Sequence, residues 1–256
     1  MDQRLSVAII TLNEERNLPD CLASVAFADE IVVLDSGSHD QTCAIARAAG
    51  ARVIESADWQ GFGIQKNRAV EACTGAWVLS IDADERVPEK LRDEILTALR
   101  DPQFEVYELP RRSNYCGRFM RHSGWWPDYV RRLFRRGTVR FSQAPVHESL
   151  VTDLPVGRLL NPLEHWSFRT MEQVLDKVNR YSSLSAPIVV QRGDRPTIAT
   201  AVVHGIAAFL RTYILKRGFL DGGHGFMLAV SNAEGSYYRY IKAMLLLKQQ
   251  GLGNDE

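Results

Sequence analysis

The chain is 256 residues long, 45% hydrophobic and 24% charged, with 31 basic residues matched by 31 acidic ones. That length can bury one substantial core, or one core and a smaller appendage, and a net charge of zero argues against a general nucleic-acid binder. Cys21, Cys43, Cys73 and Cys116 are scattered without ligand spacing, so neither a disulfide framework nor a zinc site is expected.

Met1 leads within a few residues into a strand pattern, without the basic and apolar regions of a signal peptide, so a cytoplasmic protein is expected. Leu5 to Thr11 reads as a buried strand, Leu18 to Val25 as a helix begun by Pro19, and Glu30 to Leu34 as a second strand. Thr42 to Ala49 follows as a helix closed by Gly50, then Ala51 to Glu55 as a strand and Ile64 to Cys73 as a helix. Ala76 to Ile81 is the central strand. Alternation at this interval predicts an α/β fold with a mainly parallel sheet flanked by helices. Right-handed crossovers bring the loops that begin at Asn13, Asp35, Ser56 and Asp82 to one edge.

The central strand breaks into Ser80-Ile81-Asp82-Ala83-Asp84-Glu85. Two carboxylates one residue apart at a strand end repel each other, and a divalent cation removes that conflict. The plain alternative is a solvated turn ahead of the helix opened by Pro88. Thr11-Leu12-Asn13-Glu14-Glu15 and Asp35-Ser36-Gly37-Ser38 offer the hydroxyl, amide and carboxylate groups that bind a base and a ribose. Neither is a G-x-G-x-x-G or a P-loop, which argues against a dehydrogenase or kinase. Lys66 could reach a diphosphate as a point charge, or be an exposed helix lysine; Arg68 ranks below it.

Between Arg111 and Arg140 lie nine arginines opposed only by Asp128, so this segment is expected to face something anionic. Trp125 and Trp126 read as one packed ring and one facing a sugar. Beyond Trp166 the pattern is helical throughout: Met171 to Ser185, then Ile198 to Leu215 after Pro187 and Pro196 as punctuation, then His224 to Lys248. The longest apolar stretch, Ile198 to Leu210, stops at Arg211, short of the roughly 20 residues of a spanning helix. Apolar helices with basic ends suit an interfacial membrane surface, the alternative being a subdomain packed on the sheet or a second subunit.

The stretches TLNEE, LDSGSHDQT and GFGIQKNRAVEACTGAWVLSIDADE resemble the nucleotide-sugar domain of family 2 glycosyltransferases, which have the GT-A fold. GWWPDYVRRLFRRG, PVHESL and KRGFLDGGHGF are similar, more narrowly, to bacterial lipopolysaccharide-core glycosyltransferases acting on inner-core heptose. The resemblance implies a catalytic domain over residues 1–168, with its acceptor part about 111–168, and a helical region over 169–256. It implies a nucleotide-sugar donor held by Thr11, Asn13, Glu15, Asp35, Ser36, Lys66, Asp82 and Ala83. Relatives often carry an acid where Ser36 stands. A divalent metal, Mn²⁺ or Mg²⁺, would be held by Asp84, with His165 as a further ligand. Glu148 is the expected general base and Asp128 the runner-up, each alternatively paired to a nearby arginine. Trp125, Trp126, Arg131, Arg132 and His147 would meet the acceptor, His147 being alternatively a buried structural histidine. The implied activity is inverting transfer of a hexose, glucose from UDP-glucose, to a heptose of the lipopolysaccharide core, with peripheral association at the cytoplasmic face of the inner membrane. Transfer to a polyprenyl phosphate, or a non-catalytic sugar-binding module, are the alternatives.

Overall fold

A computed structural model describes residues 3–142 and 149–250. The chain divides into two compact units, Met1–Arg111 with Asp128–His165, and Arg112–Pro127 with Trp166–Glu256. The first, the sheet unit, begins with parallel strands β1 (Leu5–Thr11), β2 (Glu30–Asp35), β3 (Arg52–Glu55) and β4 (Trp77–Asp82) in the order β3-β2-β1-β4. Helices α1 (Leu18–Ser24), α2 (Thr42–Ala48) and α3 (Phe62–Ala72) connect them.

Both faces of this sheet are covered, which explains the unbroken apolar runs of β1 and β4. Val7, Ile9, Leu79 and Ile81 enter one core with Leu18 and Leu22 of α1. Ala8 and Val78 point the other way, into a core with Ala69 and Val70 of α3. The register sets Thr11 opposite Asp35 and Ile10 opposite Asp82. Glu55 of β3 stands opposite Asp35 in turn, so all four predicted loops start at one level, at the carboxyl ends of β1, β2, β3 and β4.

Further along the chain the strands depart from the parallel pattern. After β5 (Glu85–Arg86) and α4 (Glu89–Arg100) come β6 (Val106–Tyr115), β7 (Arg118–Phe119), β8 (Asp128–Arg135), β9 (Arg140–Phe141), β10 (Leu150–Val151), β11 (Val156–Arg158) and β12 (Leu163–Phe168). β8 lies antiparallel between β4 and β6, and the order continues through β12 to β5. The pairing of β12 with β5 sets His165 opposite Glu85.

One half-buried acid ties the amino ends of the parallel strands together. Glu30, at the start of β2, accepts hydrogen bonds from Ser6 Oγ (2.5 Å), Thr74 N (2.7 Å) and Arg52 Nη2 (3.0 Å). Burial alone would raise its pKa, but these donors outweigh it and pull the carboxyl from 4.5 down to about 2. The folded value lies below the unfolded one, so the stabilisation is complete above pH 4.5 and lost as pH falls toward 2. Glu30→Gln is expected to cost about 2 to 3 kcal/mol in urea denaturation at pH 7. That difference from the parent closes as the titration descends through this window; a constant difference would show that the carboxylate charge is not what is bound.

The second unit is built on α5 (Met171–Gln191), α6 (Ile198–Leu210) and α7 (Gly222–Gln249). Pro187, expected as punctuation, lies inside α5 instead. A proline removes the donor to the carbonyl four residues back, here Ser183, and Ser183 is exposed, so water can take that place. The apolar helix runs on past Arg211 to Leu215, as expected. A π-turn over Arg211–Leu215 carries it on, giving 18 residues from Ile198 with mean hydropathy 1.6 and 22% burial, enough to cross a membrane by length and composition.

The glycines Gly222, Gly223 and Gly225 of the KRGFLDGGHGF stretch include one that backbone approach explains. A Cβ on Gly225 would stand 1.8 Å from the Gly218 carbonyl oxygen, so α7 can pass there only as glycine. Asp221, 1% exposed, accepts from Arg121 N (3.1 Å), His122 N (3.0 Å) and Ser123 Oγ (3.0 Å), fixing that segment within the helical unit.

Candidate active site at the carboxyl edge of the sheet

The turn after β4 is held by Glu85. This carboxylate is fully buried, its Oε2 accepts the backbone N–H of Asp82 (2.9 Å), and its Oε1 accepts Arg132 Nη2 (2.8 Å). Arg111 Nη1 approaches the same oxygen at 3.5 Å. Arg132 also donates to Asp82 Oδ2 (2.6 Å), and Lys66 Nζ lies 3.0 Å from Asp82 Oδ1. Burial would raise the Asp82 pKa, but Arg132 and then Lys66 hold it far below the usual carboxylate range. The first aspartate of the pair is thus neutralised by the protein's own cations and needs no metal.

Asp84 differs. Its Oδ2 lies 3.2 Å from His165 Nε2, at side-chain exposures of 26% and 18%. The β5–β12 register brings the two together. Glu14 faces the same place: burial raises its pKa, an Asn17 hydrogen bond opposes that, and the charges of Asp84, Asp40 and Asp82 raise it further. The edge is therefore a local excess of negative charge with one imidazole, a donor set that suits a hard or borderline divalent cation. Among the described residues no three His, Cys, Asp or Glu side chains gather as a cage. The protein offers such an ion two ligands and open positions.

The loops after β1 and β2 are locked to each other. Asp35, 1% exposed, accepts Thr11 Oγ1 (2.7 Å), Ser38 Oγ (2.6 Å), Gly37 N (3.0 Å) and Ser38 N (2.8 Å). Burial works against its ionisation, yet these donors bring its pKa below the ordinary value. Those four bonds fill a carboxylate's acceptor sites. Asn13, in the left-handed region at φ 56°, accepts His39 N (2.9 Å), and its own N–H donates to Ser38 Oγ (2.7 Å). Glu15 Oε2 accepts Gln41 N (3.1 Å), and Ser36 Oγ accepts Gln65 Nε2 (3.0 Å).

Residues 6–147 match glycosyl transferase family 2, which is more than half of the chain and takes in all of these loops. The chain belongs to that family. This glycosyltransferase is 33% identical over 261 residues to the lipopolysaccharide core biosynthesis glycosyltransferase LpsC of Rhizobium meliloti (strain 1021), covering 97% of this chain and 93% of that one. It is 31% identical to an uncharacterized glycosyltransferase of Rickettsia prowazekii (strain Madrid E), covering 98% and 90%. Among solved structures, S. aureus TarS 1-349 aligns over 97% of this chain and 92% of that one at TM-score 0.50 and 15% identity, a likeness of fold. The α/β, GT-A reading of the sequence holds.

Not every expected residue sits in this constellation. Lys66 is neither an exposed helix lysine nor free to meet a ligand, being 5% exposed and bound to Asp82. Arg132 is likewise 5% exposed and turned onto the enzyme's own acids, where an acceptor contact was expected. Asp128 accepts Arg111 Nε (3.0 Å) and Nη2 (2.7 Å), the arginine-paired alternative. Arg131 donates to the Leu150 carbonyl (3.0 Å) and Arg140 to Glu71 (3.0 Å), so part of the arginine cluster is spent internally. Ala83 is buried in the turn itself. Trp125 and Trp126 belong to the helical unit, where Trp125 packs edge-on to Tyr115 with ring centroids 5.6 Å apart. Glu148 and His147 lie outside the described residues. Glu85, Glu14 and Arg111 were missed. Glu14 is flanked by named site residues in TLNEE, and that position could have drawn attention to it.

Proposed function

We propose that this glycosyltransferase is an inverting, metal-dependent enzyme that moves glucose from UDP-glucose to a heptose of the lipopolysaccharide inner core. The observation that carries the donor half is the Asp84–His165 pair, open to solvent at the carboxyl edge while its neighbour Asp82 is already neutralised. Asp84 and His165 would hold the divalent ion, which when bound supplies positive charge against a diphosphate leaving group. Asn13 and the backbone between Ser36 and Ser38 line the nucleoside position. Asp35, saturated by its own loop, shapes that position and adds no further acceptor. Glu148 takes the proton from the acceptor hydroxyl, a transfer typically worth roughly 10² to 10⁴ in rate.

The acceptor half is supported by likeness to LpsC over nearly the whole chain. Its lipid-linked nature agrees with the outer face of α6, where Ile198, Val202, Val203, Ile206 and Leu210 are exposed and Lys216 and Arg217 follow. That face lies on the inner membrane, apolar side in and cations at the anionic head groups.

The test is transfer of radiolabel from UDP-glucose to a heptose-terminated core glycolipid in phosphatidylglycerol vesicles. Label enters the glycolipid only with Mn²⁺ or Mg²⁺, the enzyme sediments with the vesicles, and Glu148→Gln removes incorporation while donor binding persists. Incorporation in the presence of EDTA would overturn the metal reading; label accepted only from another nucleotide sugar would overturn the donor.

A further inference from the structure

The helical unit contains a cavity of about 510 Å³, within the range of small-molecule sites. Its wall chemistry is one-sided. Lys177, Arg211, Lys216 and Arg239 line it, and none of the described lining residues is acidic. Among the described residues Arg211, Lys216 and Arg239 make no ion pair, and the Arg239 Nε is buried with no hydrogen-bond partner. A buried donor left in this state is destabilising, and an anionic acceptor in the cavity relieves it.

The rest of the wall suits a sugar. Tyr115, Trp125 and Phe168 form an aromatic cluster, with Tyr115 and Trp125 edge-on and Trp125 tilted to Phe168 at 6.2 Å. Rings held this way present faces and edges to the C–H surfaces of a pyranose. Serine and asparagine side chains complete the wall, as at Ser123, Ser185 and Asn232. The unit as a whole agrees: it carries 14 basic residues against 7 acidic, a formal +7, while the sheet unit carries 17 against 24. The zero net charge of the chain conceals this division.

We infer that this cavity binds a phosphorylated saccharide, the anionic part of the acceptor glycan, an inference that rests on the acceptor reading above. Lys177, Arg211, Lys216 and Arg239 hold the phosphate, and the ring of Trp125, backed by the buried Tyr115, carries the sugar. Guanidinium groups match phosphate oxygens in bidentate fashion, which a cavity for a neutral sugar would not need.

Calorimetric titration without metal or nucleotide tests the cavity apart from the donor chemistry. The probe is glucose 6-phosphate, with glucose and inorganic phosphate as partial ligands and a detergent-dispersed phosphorylated core glycolipid as competitor. Glucose 6-phosphate is expected to bind more tightly than either part, without displacement by UDP. Arg239→Gln is expected to weaken it by roughly tenfold or more. Arg211→Gln and Lys216→Gln, at exposed positions where folding is not at risk, lower affinity in the same direction. Competition by the glycolipid identifies a lipid-linked source; failure to compete overturns the acceptor assignment. No binding, binding displaced by UDP, or binding unchanged in all three variants overturns the site. Metal-dependent UDP binding, measured on the same preparation, shows separately whether the donor reading stands.

Discussion

Arg132→Met is expected to destabilise the enzyme by about 3 to 5 kcal/mol, although methionine fills similar space. The reason is what remains. Glu85 is fully buried and takes its shortest charged contact, 2.8 Å, from Arg132. Asp82 loses the partner at 2.6 Å that does most to hold its carboxyl ionised. Arg111, 3.5 Å from Glu85 and already bonded to Asp128, compensates only in part. For a chain of this size the loss corresponds to a fall in Tm of roughly 10 °C, measured by circular dichroism or calorimetry. Adding Glu85→Gln to Arg132→Met removes the stranded charge and should recover part of the loss, which a simple packing defect would not show. The pH dependence has a definite sign. Asp82 is depressed below 3.8 when folded, so its stabilisation is present above that value and lost as pH falls through the acid range. In Arg132→Met this acid dependence becomes shallower. An unchanged Tm would mean that the cluster is hydrated and that Asp82 is free for other partners.

The four parallel strands were legible because β1 and β4, covered on both faces, can be nothing but apolar runs, and helical segments alternate with the strands. The antiparallel half was not. β5, β7, β9 and β10 are two residues each, too short for any periodicity. Asp84 was legible from its place at a strand end, whereas its approach to His165 depends on the pairing of β12 with β5, which no local pattern encodes. Glu85 reads as an ordinary first-turn acid and is instead the anchor of the turn, because two arginines distant in sequence come to it. The burial of Lys66 was illegible for the same reason: a helical lysine is exposed by default, and only tertiary packing against Asp82 and the Phe141 ring buries it. Charge was the least legible property. The sequence shows nine arginines facing one acid, while in the fold Asp82, Glu85 and Glu71 also answer them.

Asp84→Ala should abolish metal-dependent donor binding and lower transfer by about 10³-fold, as expected from several kcal/mol of charge stabilisation by a bound ion. Its folding stability should change little. Asp84 is partly exposed, with a side-chain exposure of 26%. Asp82→Ala should behave in the opposite way, since it removes the carboxylate that faces both Lys66 and Arg132, whose side chains are each 6% exposed. Adjacent members of one motif thus separate into an aspartate that acts on ligand and an aspartate that holds the site together. Thermal shift with UDP and Mn²⁺ makes the separation visible. At a hundredfold excess over Kd the ligand stabilises the parent by about 2.7 kcal/mol. The Asp84→Ala protein should start at the parent Tm and show no such gain, with or without metal. The Asp82→Ala protein should start several degrees lower. Should Asp84→Ala keep a full metal-dependent shift, the ion is held elsewhere, and the Asp84–His165 contact is a surface ion pair worth little to folding and nothing to catalysis.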